Sequence, residues 1–228
     1  MTGPLLASGR EADVYALDEQ RVLRRYRRQT DVSGEVEAMR YLAGLGYPVP
    51  VVHEASGSEM VLERLDGPTM AQALTAGDLG LDEGARLLDD LLRRLHELPP
   101  WPGSPAGSSI LHLDFHPENV LMTARGPVVI DWVNARAGDG DLDTALSALI
   151  LAGVVVSAHP LAPSVQLMLE AFVRIVPGNP AQRLDEAVAF RHRQLTDGTS
   201  AEIDGVEKGA ALLRGPGPTA FADPGPTA

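Results

Sequence analysis

The chain has 228 residues, 44% of them hydrophobic, which suffices for one large domain or two small lobes. It has no cysteine, which excludes a disulfide scaffold and a thiolate metal site and fits a reducing compartment such as the cytoplasm. The formal net charge of −12 argues against nucleic acid as a partner, because a phosphate backbone needs clustered Lys and Arg, and it would attract a cationic ligand.

The first nine residues carry no basic region and no long apolar stretch, so no secretory leader is expected there. Residues 5–27 read as a strand meander: Leu5 to Gly9, then Ala12 to Leu17, then Arg21 to Tyr26 after the polar turn Asp18-Glu19-Gln20. Residues 32–45 have helical spacing, with Val36, Met39, Leu42 and Leu45 on one face. Gly44 and Gly46 close that helix, and Pro48 and Pro50 prevent its continuation. Residues 51–65 hold two strand-like runs around Gly57-Ser58, and Asp66-Gly67-Pro68-Thr69 breaks the pattern.

A boundary at this break divides the chain into a mostly sheet lobe, 1–66, and a mostly helical lobe, 67–213. Residues 82–97 form the clearest amphipathic helix, with a stripe of Leu87, Leu88, Leu91, Leu92 and Leu95. A Pro/Gly/Ser loop follows at 99–109, and further helices are expected at 141–156, 163–175 and 180–194. The apolar run from Ala145 to Ala158 is too short for a membrane span and reads as a buried helix, so no membrane partner is expected. Residues 214–228 are rich in Pro and Gly, with Gly-Pro-Thr-Ala repeated, and are expected to be disordered.

The chemistry concentrates between Leu111 and Trp132, in LHLDFHPENVLMTARGPVVIDW. His112-x-Asp114 is followed by Asn119, five residues after the aspartate, and the β-like run Pro127 to Ile130 ends on Asp131. Taken singly, each residue reads as a turn, a cap or a strand end; their joint spacing points to one site. Phosphoryl transfer needs a carboxylate that orients an acceptor hydroxyl and takes its proton, and Asp114 suits that task. It also needs hard oxygen ligands for Mg²⁺, which Asn119 and Asp131 would supply beside the phosphates.

HLDFHPENVL followed by VIDW resembles the aminoglycoside-phosphotransferase and choline-kinase family, small-molecule relatives of the protein kinases. Phe115-His116-Pro117 stands where protein kinases usually carry a lysine two residues after the aspartate, and Asp-Trp stands in place of Asp-Phe-Gly. The resemblance covers roughly residues 5–195. It implies an α+β, two-lobed, protein-kinase-like fold, with a small antiparallel sheet and one helix in the N-terminal lobe and a mainly helical C-terminal lobe. It also implies a phosphotransferase that uses ATP or GTP with Mg²⁺ and phosphorylates a small-molecule hydroxyl, on an aminoglycoside or another amine-bearing acceptor among others. Asp139, Asp141, Glu170, Asp185 and Glu186 are acids that could attract an amine, although each reads first as ordinary helix surface.

By the same resemblance His112 holds the catalytic loop through backbone hydrogen bonds, His116 packs in it, and Asp143, in Gly138-Asp139-Gly140-Asp141-Leu142-Asp143, supports it from the next helix. Gly9, in Ser8-Gly9-Arg10-Glu11-Ala12-Asp13, falls where the phosphate-covering loop should be, with one glycine instead of three. The strand that should bring a lysine to the phosphates reads Arg21-Val22-Leu23-Arg24-Arg25-Tyr26, so Arg24 takes that place, with Arg25 the alternative register. Its partner carboxylate would be Glu35, with Glu37 one step off the helical face. Glu63 and Leu65 fall at the hinge, where a backbone C=O and N–H would bind the nucleotide base. The missing lysine leaves a second reading open, a kinase-fold nucleotide-binding protein with weak or no catalysis. A protein kinase is disfavoured by the lack of Asp-Phe-Gly, Ala-Pro-Glu and a long activation segment.

Overall fold

The computed structural model describes residues 3–195 and 198–221 in an α+β architecture. The described residues up to Thr69, together with Asn119–Ala135, form one compact unit; Met70–Glu118 and the described residues from Arg136 onward form a second. The sequence reading gave everything from 67 to 213 to one lobe, whereas residues 119–135 pack with the first unit.

The first unit opens with β1 (Leu5–Ser8), β2 (Ala12–Ala16), β3 (Arg21–Tyr26), α1 (Ser33–Gly44), β4 (Val52–Ser56) and β5 (Glu59–Glu63). Then come α2 (Met70–Ala76), α3 (Leu81–His96) and β6 (Ser109–Leu111) of the second unit, and the hairpin β7 (Val120–Thr123) and β8 (Gly126–Val129) of the first. The second unit resumes with β9 (Arg136–Gly138), α4 (Gly140–Val155), α5 (Ala162–Ile175), α6 (Leu184–Gln194) and α7 (Ser200–Arg214).

In the first unit the strands form an antiparallel sheet in the order β1-β2-β3-β5-β4. β5 alternates strictly: Met60 and Leu62 are buried while Glu59, Val61 and Glu63 face the other way. α1 buries Val36, Met39 and Leu42. Leu45, expected on that face, instead caps the helix and is 37% exposed, because Gly46 (φ 77°) turns the chain there.

Several contacts bind the late hairpin to this unit. Gly67 (φ 145°) lies so close to β7 that a Cβ would sit 2.1 Å from the Met122 carbonyl oxygen, and Met122 N–H donates to Pro68 C=O (2.8 Å). Val129 N–H donates to Pro48 C=O (2.8 Å), and the buried Trp132 ring meets Tyr47 edge-on at 5.7 Å.

In the second unit, α3 buries Leu88, Leu91, Leu92 and Leu95, while Leu87 at the edge of the stripe stays partly exposed. α4 is buried on nearly every side, from Leu142 through Ala152, and packs against α5, α6 and α7. α7 starts on a capping box: Thr199 Oγ1 accepts from Glu202 N–H (3.3 Å), and the Glu202 carboxylate accepts from Thr199 N–H (2.7 Å).

Four elements were not expected from the sequence: α2, β6, β9 and α7. The helix expected over 180–194 begins as a 3₁₀ turn, Pro180–Arg183, before α6. Of the segment expected to be disordered, Arg214 closes α7, and Phe221 N–H bonds back to Leu213 C=O (3.4 Å); 222–228 lie outside the described residues. No helix among the described residues is long and apolar enough to cross a membrane.

Candidate active site

In the first unit the middle of β3 meets the first turn of α1 and the open end of the β7–β8 hairpin. Arg24 Nη1 donates to Glu35 Oε1 (2.8 Å), and Arg24 Nη2 donates to Asp131 Oδ1 (2.6 Å). The Tyr26 hydroxyl donates to the other Glu35 oxygen, Oε2 (2.6 Å), and the Arg24 guanidinium stands 5.0 Å from the Tyr26 ring centroid. Arg24 and Tyr26 share a face because they are two residues apart on one strand. Arg25 points the other way and pairs with Glu59 (2.6 Å), with both side chains over 40% exposed. Glu37, on α1, is exposed.

Glu35 is 5% exposed, so its charge must be matched inside the fold. Burial pushes its carboxyl above the ordinary range, against the pull of Arg24 and the Tyr26 hydroxyl. Burial also works against charge on Arg24, but Asp131 and Glu35 outweigh it and hold the guanidinium firmly protonated. Burial and the neighbouring Glu35 raise the Tyr26 phenol well above its usual range.

Asn119 and Asp131 flank the hairpin's open end, where Val120 pairs with Val129. Ile130 N–H donates to Asn119 C=O (3.0 Å), which continues the ladder one step and brings the two residues together. Asn119 is 8% exposed. Asp131 has φ 68°, a left-handed conformation uncommon outside glycine, and it turns the chain out of β8 directly at the carboxylate. Among the described residues Asp131 Oδ2 makes no hydrogen bond.

In the second unit the loop after β6 holds His112, Leu113 and Asp114. Leu113 also has a left-handed backbone (φ 64°) while wholly buried. The fully buried Asp143 of α4 compensates: its Oδ2 accepts from His112 N–H (2.8 Å) and its Oδ1 from Leu113 N–H (2.7 Å). His96 Nε2, from the end of α3, lies 3.2 Å from Asp143 Oδ2. Burial opposes the charge on Asp143, but His96, His112 and these hydrogen bonds prevail and hold the carboxyl below its ordinary range. His112 is wholly buried, accepts from Asp114 N–H at Nδ1 (3.2 Å) and packs edge-on against Phe115 (5.3 Å).

Asp114 is partly exposed. Its Oδ1 accepts from Arg191 Nη1 (3.2 Å), and its Oδ2 lies 3.7 Å from His116 Nε2. Burial would raise its pKa, but His116, Arg191 and His112 hold it below the usual range, so the carboxylate stays ionised. His116, expected only to pack, therefore also faces the Asp114 carboxylate.

Gly9 lies in the β1–β2 turn, where its N–H donates to Ala12 C=O (2.9 Å); a Cβ there would make only ordinary contact. Arg27 pins this turn through Ser8 Oγ (2.5 Å), Asp13 Oδ1 (2.6 Å) and the Arg10 C=O (3.1 Å). Glu63 ends β5, and its carboxylate takes Arg125 Nη2 (2.8 Å) and Val51 N–H (3.1 Å); Leu65 follows two residues later.

Sequence reasoning missed Tyr26, His96 and Arg191. Tyr26 had a signal, its spacing of two from Arg24. The other two had none, because they reach the site only through helix packing.

A sequence profile described as "Phosphotransferase enzyme family" matches residues 2–110 and 101–153. No curated protein sequence matches the chain. Among solved structures, aminoglycoside phosphotransferase APH(4)-Ia is similar with a TM-score of 0.65 at 16% identity, over 92% of each chain. The ADP-bound aminoglycoside phosphotransferase APH(2'')-Ib is similar with a TM-score of 0.57 at 16% identity, over 95% of this chain and 94% of that one. A gentamicin complex of APH(2'')-IIa gives a TM-score of 0.59 at 17% identity, over 96% and 94%. At such identities the likeness speaks for the fold alone, the two-lobed protein-kinase-like fold expected from the sequence. The matched profile spans well over half the sequence, and the chain belongs to the APH phosphotransferase enzyme family.

Proposed function

We propose that this protein transfers the γ-phosphoryl group of ATP or GTP to a hydroxyl of a small molecule in the cytoplasm. The observation that carries the reading is the buried tie of Glu35 to Arg24, which holds a guanidinium against Asp131. A cation fixed on a strand by a buried carboxylate suits the α/β-phosphates of a nucleotide. In this reading the Gly9 turn covers the phosphates, and the Glu63 C=O and Leu65 N–H receive the base. Solved structures of similar fold bind ADP, which supports a nucleotide here.

Asn119 and Asp131 fit Mg²⁺: one amide oxygen and one carboxylate, both hard donors, with Asp131 Oδ2 open among the described residues. Bound there, Mg²⁺ would neutralise charge on the phosphates. Among the described residues no group of three or more His, Cys, Asp or Glu could hold a metal, so the phosphates themselves would complete the coordination.

Asp114 is the residue that receives the acceptor. Its ionised carboxylate orients the hydroxyl and takes the proton as the new O–P bond forms. The bond between Pγ and the bridging oxygen breaks, and ADP or GDP leaves with that electron pair. His112 and Asp143 touch no substrate in this scheme; they hold the loop that presents Asp114.

The acceptor is a small molecule, and the aminoglycosides seen with similar structures are one class to screen. The second reading, nucleotide binding without turnover, draws on Arg24 in the lysine's place with Asp131 Oδ1 already engaged. Calorimetry with ATP and GTP, each with and without Mg²⁺, tests the proposal. Metal-dependent binding followed by transfer supports it. Failure to bind either nucleotide sinks it, and binding without transfer to any acceptor favours the second reading.

A further inference from the structure

We infer that the hydroxyl acceptor carries an anionic group, a carboxylate or a phosphate monoester, and that Arg191 is the residue that holds it; this rests on the phosphotransferase reading above. Arg191 stands in the last turn of α6, with its side chain 25% exposed. Its Nη1 lies 3.2 Å from Asp114 Oδ1. Both of its hydrogen bonds use Nη1, to Asp114 Oδ1 (3.2 Å) and to Gln194 Oε1 (2.8 Å). Among the described residues Nε and Nη2 make none. That edge of a guanidinium is the one that receives a carboxylate or phosphate through two parallel hydrogen bonds. An acceptor reaching Asp114 with its hydroxyl would therefore pass an arginine with a donor pair open.

Two more arginines lie close by. Arg136 pairs with Leu111 across the β6–β9 ladder, three residues before Asp114, and its guanidinium is 4.9 Å from the Phe190 ring. Arg193 lies 5.6 Å from the same ring. Both therefore lie against Phe190, the residue before Arg191, in a chain whose net charge is −12.

The acids that would have drawn an amine are occupied elsewhere. Asp139 caps α4 and pairs with Arg183 (2.5 Å). Asp141 accepts from Asn179 N–H (2.9 Å), Glu170 from Gln166 (3.0 Å), and Asp185 pairs with Arg214. Glu186 lies 3.7 Å from Arg183. A polycationic acceptor would meet Arg191 as a like charge beside the reacting hydroxyl.

The bland account is that Arg191, His192 and Arg193 merely complement the C-terminal end of the α6 dipole, and that Arg191 neutralises Asp114. The two accounts part in kinetics. With the full chain and labelled ATP·Mg²⁺, transfer is measured to four arms. D-glycerate and gluconate are carboxylates, ribose 5-phosphate and glucose 1-phosphate are phosphates, glycerol, ribose and glucose are neutral, and hygromycin B and choline are cations. The expected result is transfer to one anionic arm with kcat/KM at least about tenfold above its neutral counterpart, and the arm that responds tells carboxylate from phosphate. Arg191→Gln should raise KM for that probe by about tenfold to a hundredfold, with a smaller change in kcat, and Arg191→Lys should recover part of the loss. Preferred transfer to neutral or cationic acceptors overturns this inference and leaves phosphoryl transfer standing. So does an equal fall in kcat for every acceptor in Arg191→Gln. No transfer to any arm by a chain that binds ATP·Mg²⁺ also overturns it, whereas no nucleotide binding overturns the phosphotransferase reading as well.

Discussion

Each unit buries a carboxylate on the first turn of a helix, and the two are used in opposite ways. Glu35 of α1 mainly gathers side chains, Arg24 on one oxygen and the Tyr26 hydroxyl on the other, and adds the Trp132 amide. Asp143 of α4 mainly holds backbone, the amides of His112 and of Leu113, whose φ of 64° the chain would not adopt freely, and adds the His96 side chain. A carboxylate that binds side chains brings charged groups from several elements together. One that binds consecutive amides fixes the path of the chain itself. The first unit therefore gathers charges at one place, and the second braces a loop.

Breaking each site in turn sharpens that contrast. The largest effect is expected on the residue that the braced loop presents. Asp114→Asn should lower transfer by roughly 10²- to 10⁴-fold while nucleotide affinity, read by calorimetry, stays nearly unchanged. Equal loss of both would contradict its role. Asp143→Ala should cost about 3 kcal/mol in urea unfolding, because two buried amides lose their acceptor and Leu113 its restraint. The sign of its pH dependence follows from its lowered pKa. A carboxyl depressed in the folded state stabilises above its unfolded value of about 4, and that contribution is lost as pH falls through the folded value. Asp143→Asn should accordingly flatten the decline in stability below about pH 4.

Glu35→Ala should be milder, about 2 kcal/mol, because Arg24 keeps Asp131 as a partner; nucleotide binding should suffer more than folding. Tyr26→Phe removes a single hydrogen bond to the same carboxylate and should cost about 1 kcal/mol by thermal unfolding. Arg25→Ala, which removes the exposed pair with Glu59 and an exposed stacking contact 5.7 Å from the Tyr15 ring centroid, should change stability by less than about 1 kcal/mol and leave nucleotide affinity alone. An Arg25 effect exceeding that of Arg24→Ala would reverse the choice of register.

The fold was legible where periodicity was strong. The meander of β1 to β3, the apolar stripe of α3 and the unbroken apolarity of α4 each follow from spacing or composition within one element. β6 and β9 are three residues each, too short to carry a period, and they exist because they pair with one another. α7 had a readable start in Thr199-x-x-Glu202, but a faint apolar pattern after it. The candidate site divides along the same line. Residues inside the Leu111–Trp132 stretch announced themselves by spacing. Arg24 followed from the family resemblance with strand alternation choosing it over Arg25, and its contact with Asp131 spans 107 positions in sequence. Arg191 stands 77 positions from Asp114 on a helix whose own pattern gives no hint of that meeting.

The hairpin carrying Asn119 and Asp131 belongs with the sheet, yet about fifty residues of the other unit are synthesised between Thr69 and it. A ribosome adding roughly 5–20 residues per second leaves the early strands without that hairpin for several seconds. During this interval Pro48 lacks the Val129 amide, Tyr47 lacks the Trp132 ring, and Arg24 has Glu35 but no Asp131. The two units are braided along the message, so neither can be excised with a single cut, and a nascent chain arrested before residue 119 would carry Arg24 and Glu35 without Asn119 and Asp131.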